Sequence, residues 1–139
     1  MKSKSLIMFF MIFSLSSIDH SYSSQDKTDI FLNNSQIVTT LRGKRIYLSI
    51  PIGGEFPLNY YVDQVIDGDG QTTGLGFLFK QTDSGTWWVE QNKMCQKWSN
   101  WYDNKPFCFK LKRIDHNSIY WIRDDGLEGT ARIGETVSR

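Results

Sequence analysis

The sequence has only two cysteines, two histidines and three prolines in 139 residues, and its sixteen basic groups nearly cancel its fifteen acidic ones. Each shortage removes a class of protein. Near-neutrality gives no electrostatic drive toward nucleic acid or an anionic membrane surface. Lys110, Lys112 and Arg113 make a small basic stripe that reads as a solvated strand face. Histidine is too scarce for a His-based catalytic or metal site: His116 stands in Asp115-His116-Asn117-Ser118, which has the composition of a tight turn. There is no G-x-S-x-G elbow to expose a nucleophilic serine. Asp67-Gly68-Asp69-Gly70-Gln71-Thr72 opens like a calcium loop, but Thr72 stands where that loop requires glycine. The expectation is therefore no catalytic residue, no metal site and no cofactor.

A long apolar run is also missing. The longest, Leu6 to Leu15, is well short of the roughly 20 residues that span a bilayer. It follows Lys2 and Lys4 and leads into a Ser-rich stretch, the three-part pattern of a secretory signal. Ser21 and Ser23 provide the small residues that signal peptidase requires, which places the cut after Ser23. Residues 1–23 are read as a signal peptide and residues 24–139 as one β-rich domain, periplasmic or secreted, with no stable membrane anchor after cleavage. Removing Lys2, Lys4 and Asp19 leaves basic and acidic groups in equal number.

What the domain does contain is alternation. Ile46, Leu48 and Ile50 recur with a period of two, and Pro51 and Gly53-Gly54 end the run. Further runs span 59–66, 76–80, 85–90, 93–98, 107–113, 118–123 and 129–133. They are separated by turn residues such as Asp83-Ser84-Gly85, Gln91-Asn92 and Asp124-Asp125-Gly126. This predicts an all-β fold: a small antiparallel meander of seven to nine strands closed as a barrel or folded as a sandwich. Residues 29–41 read as one short N-terminal helix or an entry strand.

Alternation also assigns faces. Met94 and Trp98 share one side and Cys95 and Lys97 the other; Phe107, Phe109 and Leu111 share one side, and Cys108 goes with Lys110. Both cysteines thus fall on the outer face, and an antiparallel pairing that sets Cys95 opposite Cys108 staples adjacent strands by a disulfide. Export makes such a bond durable.

Five tryptophans lie between Trp87 and Trp121. Adjacent Trp87 and Trp88 must face opposite sides, and Trp101-Tyr102 fall in a polar hairpin tip. Trp88, Trp101 and Tyr102 are the candidate aromatic binding patch, because Trp and Tyr dominate interface hot spots; the alternative for the tip is a lid over the barrel's open end.

Gly85-x-Trp87-x-Val89, Cys95-x-x-Trp98, Cys108-Phe109 and Gly129-Thr130 together resemble small exported bacterial proteins of unknown function with the pattern G-x-W-x-V, C-x-x-W, C-[FY]. The resemblance implies a calycin-like or related β-barrel and no particular reaction. The G-x-W element is also similar to that of lipocalins and barrel-type protease inhibitors, where it lies in the first strand; here it is mid-chain. The functional expectation is an exported, non-enzymatic binding protein acting on a protein partner. Its Lys-, Asn-, Ile- and Ser-rich usage resembles that of host-associated bacteria, which makes a secreted effector a special case. The alternatives are a carrier holding a small apolar ligand between Trp87 or Trp88, Phe77 and Phe79, or a protease inhibitor inserting residues 24–34 into a cleft.

Overall fold

A computed structural model of the chain describes residues 30–70 and 82–139. Eight antiparallel strands follow one another around a closed barrel. They are β1 (Lys44–Ser49), β2 (Glu55–Tyr60), β3 (Val65–Asp69), β4 (Thr82–Glu90), β5 (Lys93–Trp98), β6 (Phe107–Arg113), β7 (Ser118–Arg123) and β8 (Glu128–Thr136). β8 pairs back onto β1, with Ile46 opposite Ile133 and Leu48 opposite Ala131. The all-β meander therefore closes as a barrel, which leaves none of the described strands as an unpaired edge. The signal segment and the strand expected at 76–80 fall outside the described residues.

One expected strand is corrected. The run 59–66 is the end of β2, a reversal and the start of β3. Tyr61 N–H donates to Val65 O at 2.9 Å and Gln64 N–H to Tyr61 O at 3.1 Å, with Gln64 at a φ of 66°. Because no glycine or proline marks this turn, its Tyr- and Val-rich flanks read as one continuous strand. β2 in turn begins earlier, at Glu55, and includes Pro57. Its pairing with β3 stops at Leu58, one residue short of the proline that has no N–H to contribute.

The N-terminal piece is a helix, α1 (Asn34–Leu41), and shorter than the expected span. A capping box starts it: Gln36 N–H donates to Asn33 Oδ1 at 3.0 Å, and Asn33 N–H donates to Gln36 Oε1 at 2.9 Å. Ile37 and Leu41 are fully buried and join the barrel core, so α1 closes the end of the barrel that carries the β2–β3, β4–β5 and β6–β7 turns. Asn34 and Asn92 exchange backbone-to-side-chain hydrogen bonds at 3.0 and 2.7 Å, tying the helix start to the β4–β5 turn. Leu32 N–H reaches Leu111 O at 2.7 Å, where β6 has run past the end of its pairing with β5. Ile37→Ala is expected to cost about 2–5 kcal/mol, since it opens a cavity under the helix; the urea midpoint reads it.

Inside the barrel, Ile46, Leu58, Ile66, Trp98, Leu111 and Ile119 are buried almost completely. The adjacent tryptophans divide as their alternation requires. Trp87 is buried, stands edge-on to Tyr60 at 5.6 Å and donates from Nε1 to Tyr61 O at 3.0 Å, while Trp88 is half-buried on the outer wall. Cys95 lies directly opposite Cys108, and the two form a disulfide. Although it belongs to the outer face, Cys95 is fully buried, flanked in register by Trp88 on β4 and Cys108 on β6.

Candidate functional site

The barrel's other end carries the β1–β2, β5–β6 and β7–β8 connections, and the longest left-handed run among the described residues lies there. Tyr102, Asp103 and Asn104 are three consecutive non-glycine residues in the left-handed region, with φ of 55°, 55° and 58°. Side-chain sterics charge about 1–2 kcal/mol for each such residue, so the surroundings must impose the conformation. Asp83 at the start of β4 supplies much of that restraint. Its Oδ2 accepts the N–H groups of Asn100 at 2.9 Å and Trp101 at 2.8 Å, and its Oδ1 accepts Asn100 Nδ2 at 3.1 Å. Asn104 Nδ2 donates to Trp98 O, and Lys105 N–H donates to Tyr102 O at 3.0 Å.

The clamp has two consequences. Trp101 is turned back into the mouth, 4.6 Å from Trp98 and 5.8 Å from Phe56 between ring centroids. It also covers Gly68, where a Cβ would lie 3.0 Å from its ring. Tyr102 stands at the rim, 52% exposed, its ring edge-on to Phe107 at 5.4 Å and bordering the open end of the barrel interior. The Arg123 guanidinium lies 4.4 Å above Phe107 and 5.8 Å from the Tyr102 ring, within cation–π range. Arg123 is fixed by two bonds to Asp125, Nε to Oδ1 at 2.8 Å and Nη2 to Oδ2 at 2.7 Å. Those bonds hold the Asp125 carboxyl down to about 2.

Burial raises the Asp83 pKa, but the surrounding N–H donors outweigh it and hold the carboxyl below its ordinary value. A folded pKa below the unfolded one means that the stabilisation is complete above the unfolded carboxylate range and is lost as pH falls through the folded value. Asp83→Asn is expected to flatten the acid limb of the stability–pH curve and to mobilise residues 99–106, as amide hydrogen exchange reports.

The sequence candidates are thus separated. Tyr102 is at the exposed mouth, Trp101 is its lid, and Trp88 sits on the outer wall near the helix-closed end of β4. Two further exposed apolar residues, Ile52 and Leu127, come from turns at the same end as Tyr102. Each is a lone apolar residue among turn formers, in Pro51-Ile52-Gly53-Gly54 and Asp125-Gly126-Leu127, and that placement is the sequence signal that marks them. Of the charged groups in these turns, Asp125 is paired with Arg123 at 2.7 Å and Asp124 with Lys93 at 2.8 Å, which leaves Asp103 and Glu128 against Lys105, a small acidic excess.

Other features offer less. Glu90, Cys95 and Cys108 bring ligand-type atoms together, but both sulfurs are committed to the disulfide, which leaves one carboxylate. A surface groove of about 1190 Å³ crosses the outer face of β1–β4. Its central groups are engaged with one another: Arg45 Nε donates to Asn59 Oδ1 at 2.7 Å, and Asn59 Nδ2 to Asp67 Oδ1 at 2.7 Å. His116 is exposed in a turn whose Asp115 accepts Asn117 N–H at 2.7 Å. Leu32 and Asn34, part of the segment expected to enter a protease cleft, are bound to the barrel itself. Phe77 and Phe79, proposed to line a carrier cavity, lie outside the described residues.

Fold and site together define a small disulfide-stapled up-and-down β-barrel with a helix-closed base and a rigid aromatic mouth. Comparison with family models, with curated proteins and with solved structures finds no match to the chain.

Proposed function

We propose that this is an exported, non-enzymatic binding protein whose barrel mouth docks on a protein partner, with a secreted effector of a host-associated bacterium as the setting. The observation that carries the reading is the clamped left-handed turn: three non-glycine residues are held in a costly conformation that displays Tyr102. A rigid, pre-set aromatic is the type of side chain that concentrates binding energy at an interface, because little entropy is lost when it docks. Ile52 and Leu127 widen the apolar centre, and the small acidic excess beside them favours a partner whose apolar patch is bordered by Lys or Arg. Salt is then expected to slow association. The disulfide fits an oxidising compartment.

The test compares wild type with Tyr102→Ala/Leu127→Ala in quantitative capture of partners from host extract, with folding checked by near-UV circular dichroism. Truncating two hot-spot side chains is expected to weaken capture by about 30-fold or more. Equal recovery by a folded variant removes the mouth from the account.

A further inference from the structure

The barrel interior is not completely filled. A cavity of about 80 Å³ runs from Leu41 at the helix-closed end toward Tyr102 and Arg123 at the mouth. Its walls are mostly apolar, with Leu58, Met94, Phe109 and Leu111 among them. Gln96 is the exception. It lines the cavity, is only 6% exposed, and takes an inward position between Met94 and Trp98 where alternation would otherwise place an apolar side chain. Its Oε1 accepts the Tyr60 hydroxyl at 3.1 Å, and its Nε2 is left facing the cavity space; the wholly buried side-chain donor without a partner among the described residues is the neighbouring Trp98 Nε1. An amide donor that faces a cavity without a protein acceptor is satisfied by whatever enters, water or a ligand.

The cavity's chemistry limits what can answer that donor. Among the described residues on its wall Arg123 is the one charged side chain, and Asp125 already neutralises it. Burial pushes the Tyr60 hydroxyl well above its ordinary pKa, so the interior disfavours negative charge. The volume is about half that of an engineered apolar cavity of about 150 Å³ that admits benzene. We propose that this cavity binds a short, uncharged aliphatic carbonyl compound, with Gln96 Nε2 donating to the carbonyl oxygen and Leu58, Met94 and Phe109 enclosing the carbon chain. The cavity shares Tyr102 and Leu127 with the mouth at its open end, so the two readings are separated by Gln96→Leu, which removes the interior donor and leaves the rim intact: ketone binding can then be lost while partner capture is unchanged.

The experiment titrates 2-butanone and acetone into the isotopically labelled, oxidised protein and follows the Gln96 side-chain NH₂ signals by NMR. The expected result is a saturable shift of that pair. Butyrate, similar in size but charged at neutral pH, is expected to leave it unmoved. Gln96→Leu keeps the side-chain volume and removes the donor, and is expected to bind the ketones about tenfold more weakly. Ala131→Val narrows the cavity while keeping the donor and is expected to weaken binding as well. The proposal is overturned if neither ketone shifts the wild-type signals, if Gln96→Leu binds as well as wild type, or if butyrate binds equally. A persistent contact between the Gln96 amide and water that no ketone displaces also overturns it, because the cavity is then a hydration site.

Discussion

Breaking the Cys95–Cys108 bond, by reduction or by Cys95→Ser/Cys108→Ser, is expected to destabilise the domain by about 2–5 kcal/mol, read as a fall in the thermal and urea midpoints. Part of that loss is general, since the bond closes a loop with a sequence separation of 13 and restricts the unfolded chain. The rest is particular to where it sits. β5 and β6 pair at only three positions, Met94 with Phe109, Cys95 with Cys108 and Gln96 with Phe107. Beyond them β6 continues past β5, and Leu32 N–H bonds to the Leu111 carbonyl that β5 does not reach. The connection across this short seam is also the loop that holds the left-handed turn at Tyr102–Asn104. Amide exchange in residues 99–106 is therefore expected to rise on reduction before the barrel melts. A reduced protein with unchanged midpoints would mean that strand pairing and the N-terminal segment hold the seam without the bond.

Gly85→Ala is the second large effect, expected at about 3 kcal/mol or more, or outright failure to fold. Gly85 faces inward between Asp83 and Trp87 and lies opposite Trp98. A Cβ there would lie 2.0 Å from Lys97 O and 2.9 Å from Trp98 Cα, and both obstacles are backbone. Relief requires parting β4 from β5 just where Ser99 N–H donates to Ser84 O and Asp83 grips the mouth loop. Gly129→Ala is the informative comparison. Its Cβ would meet the Trp121 ring at 2.6 Å, a side chain that can shift, so its cost is expected to be the smaller of the two. Equal denaturation midpoints for the two variants would contradict the backbone argument.

The mouth was only partly legible beforehand. Trp101 and Tyr102 are adjacent in a polar tip, and nothing local says that one packs on Trp98 and the other stays half exposed at the rim. Asp83 makes that choice from β4, through hydrogen bonds to Asn100 and Trp101. Ile52 and Leu127 join Tyr102 at one end only because an up-and-down barrel gathers alternate turns there. Gln96 carried a fainter signal, a polar residue on the face shared by Met94 and Trp98, but its amide has meaning only once a cavity lies beside it.

The sequence by itself determined the local features: the bounds of β5, β6 and β7, the opposite faces of Trp87 and Trp88, and the facing of Cys95 and Cys108. Each follows from a period of two interrupted by turn formers, and so is set by a few neighbouring residues. Where turn chemistry was silent, at 61–64, the local reading ran two strands together. Only the tertiary structure decided that the meander closes β8 onto β1, that α1 seals the base, that Trp101 lids the mouth, and that a small cavity remains beside Gln96. Those outcomes depend on how eight strands stagger and how their side chains share one interior volume, which is a property of the whole packed barrel and not of any single segment.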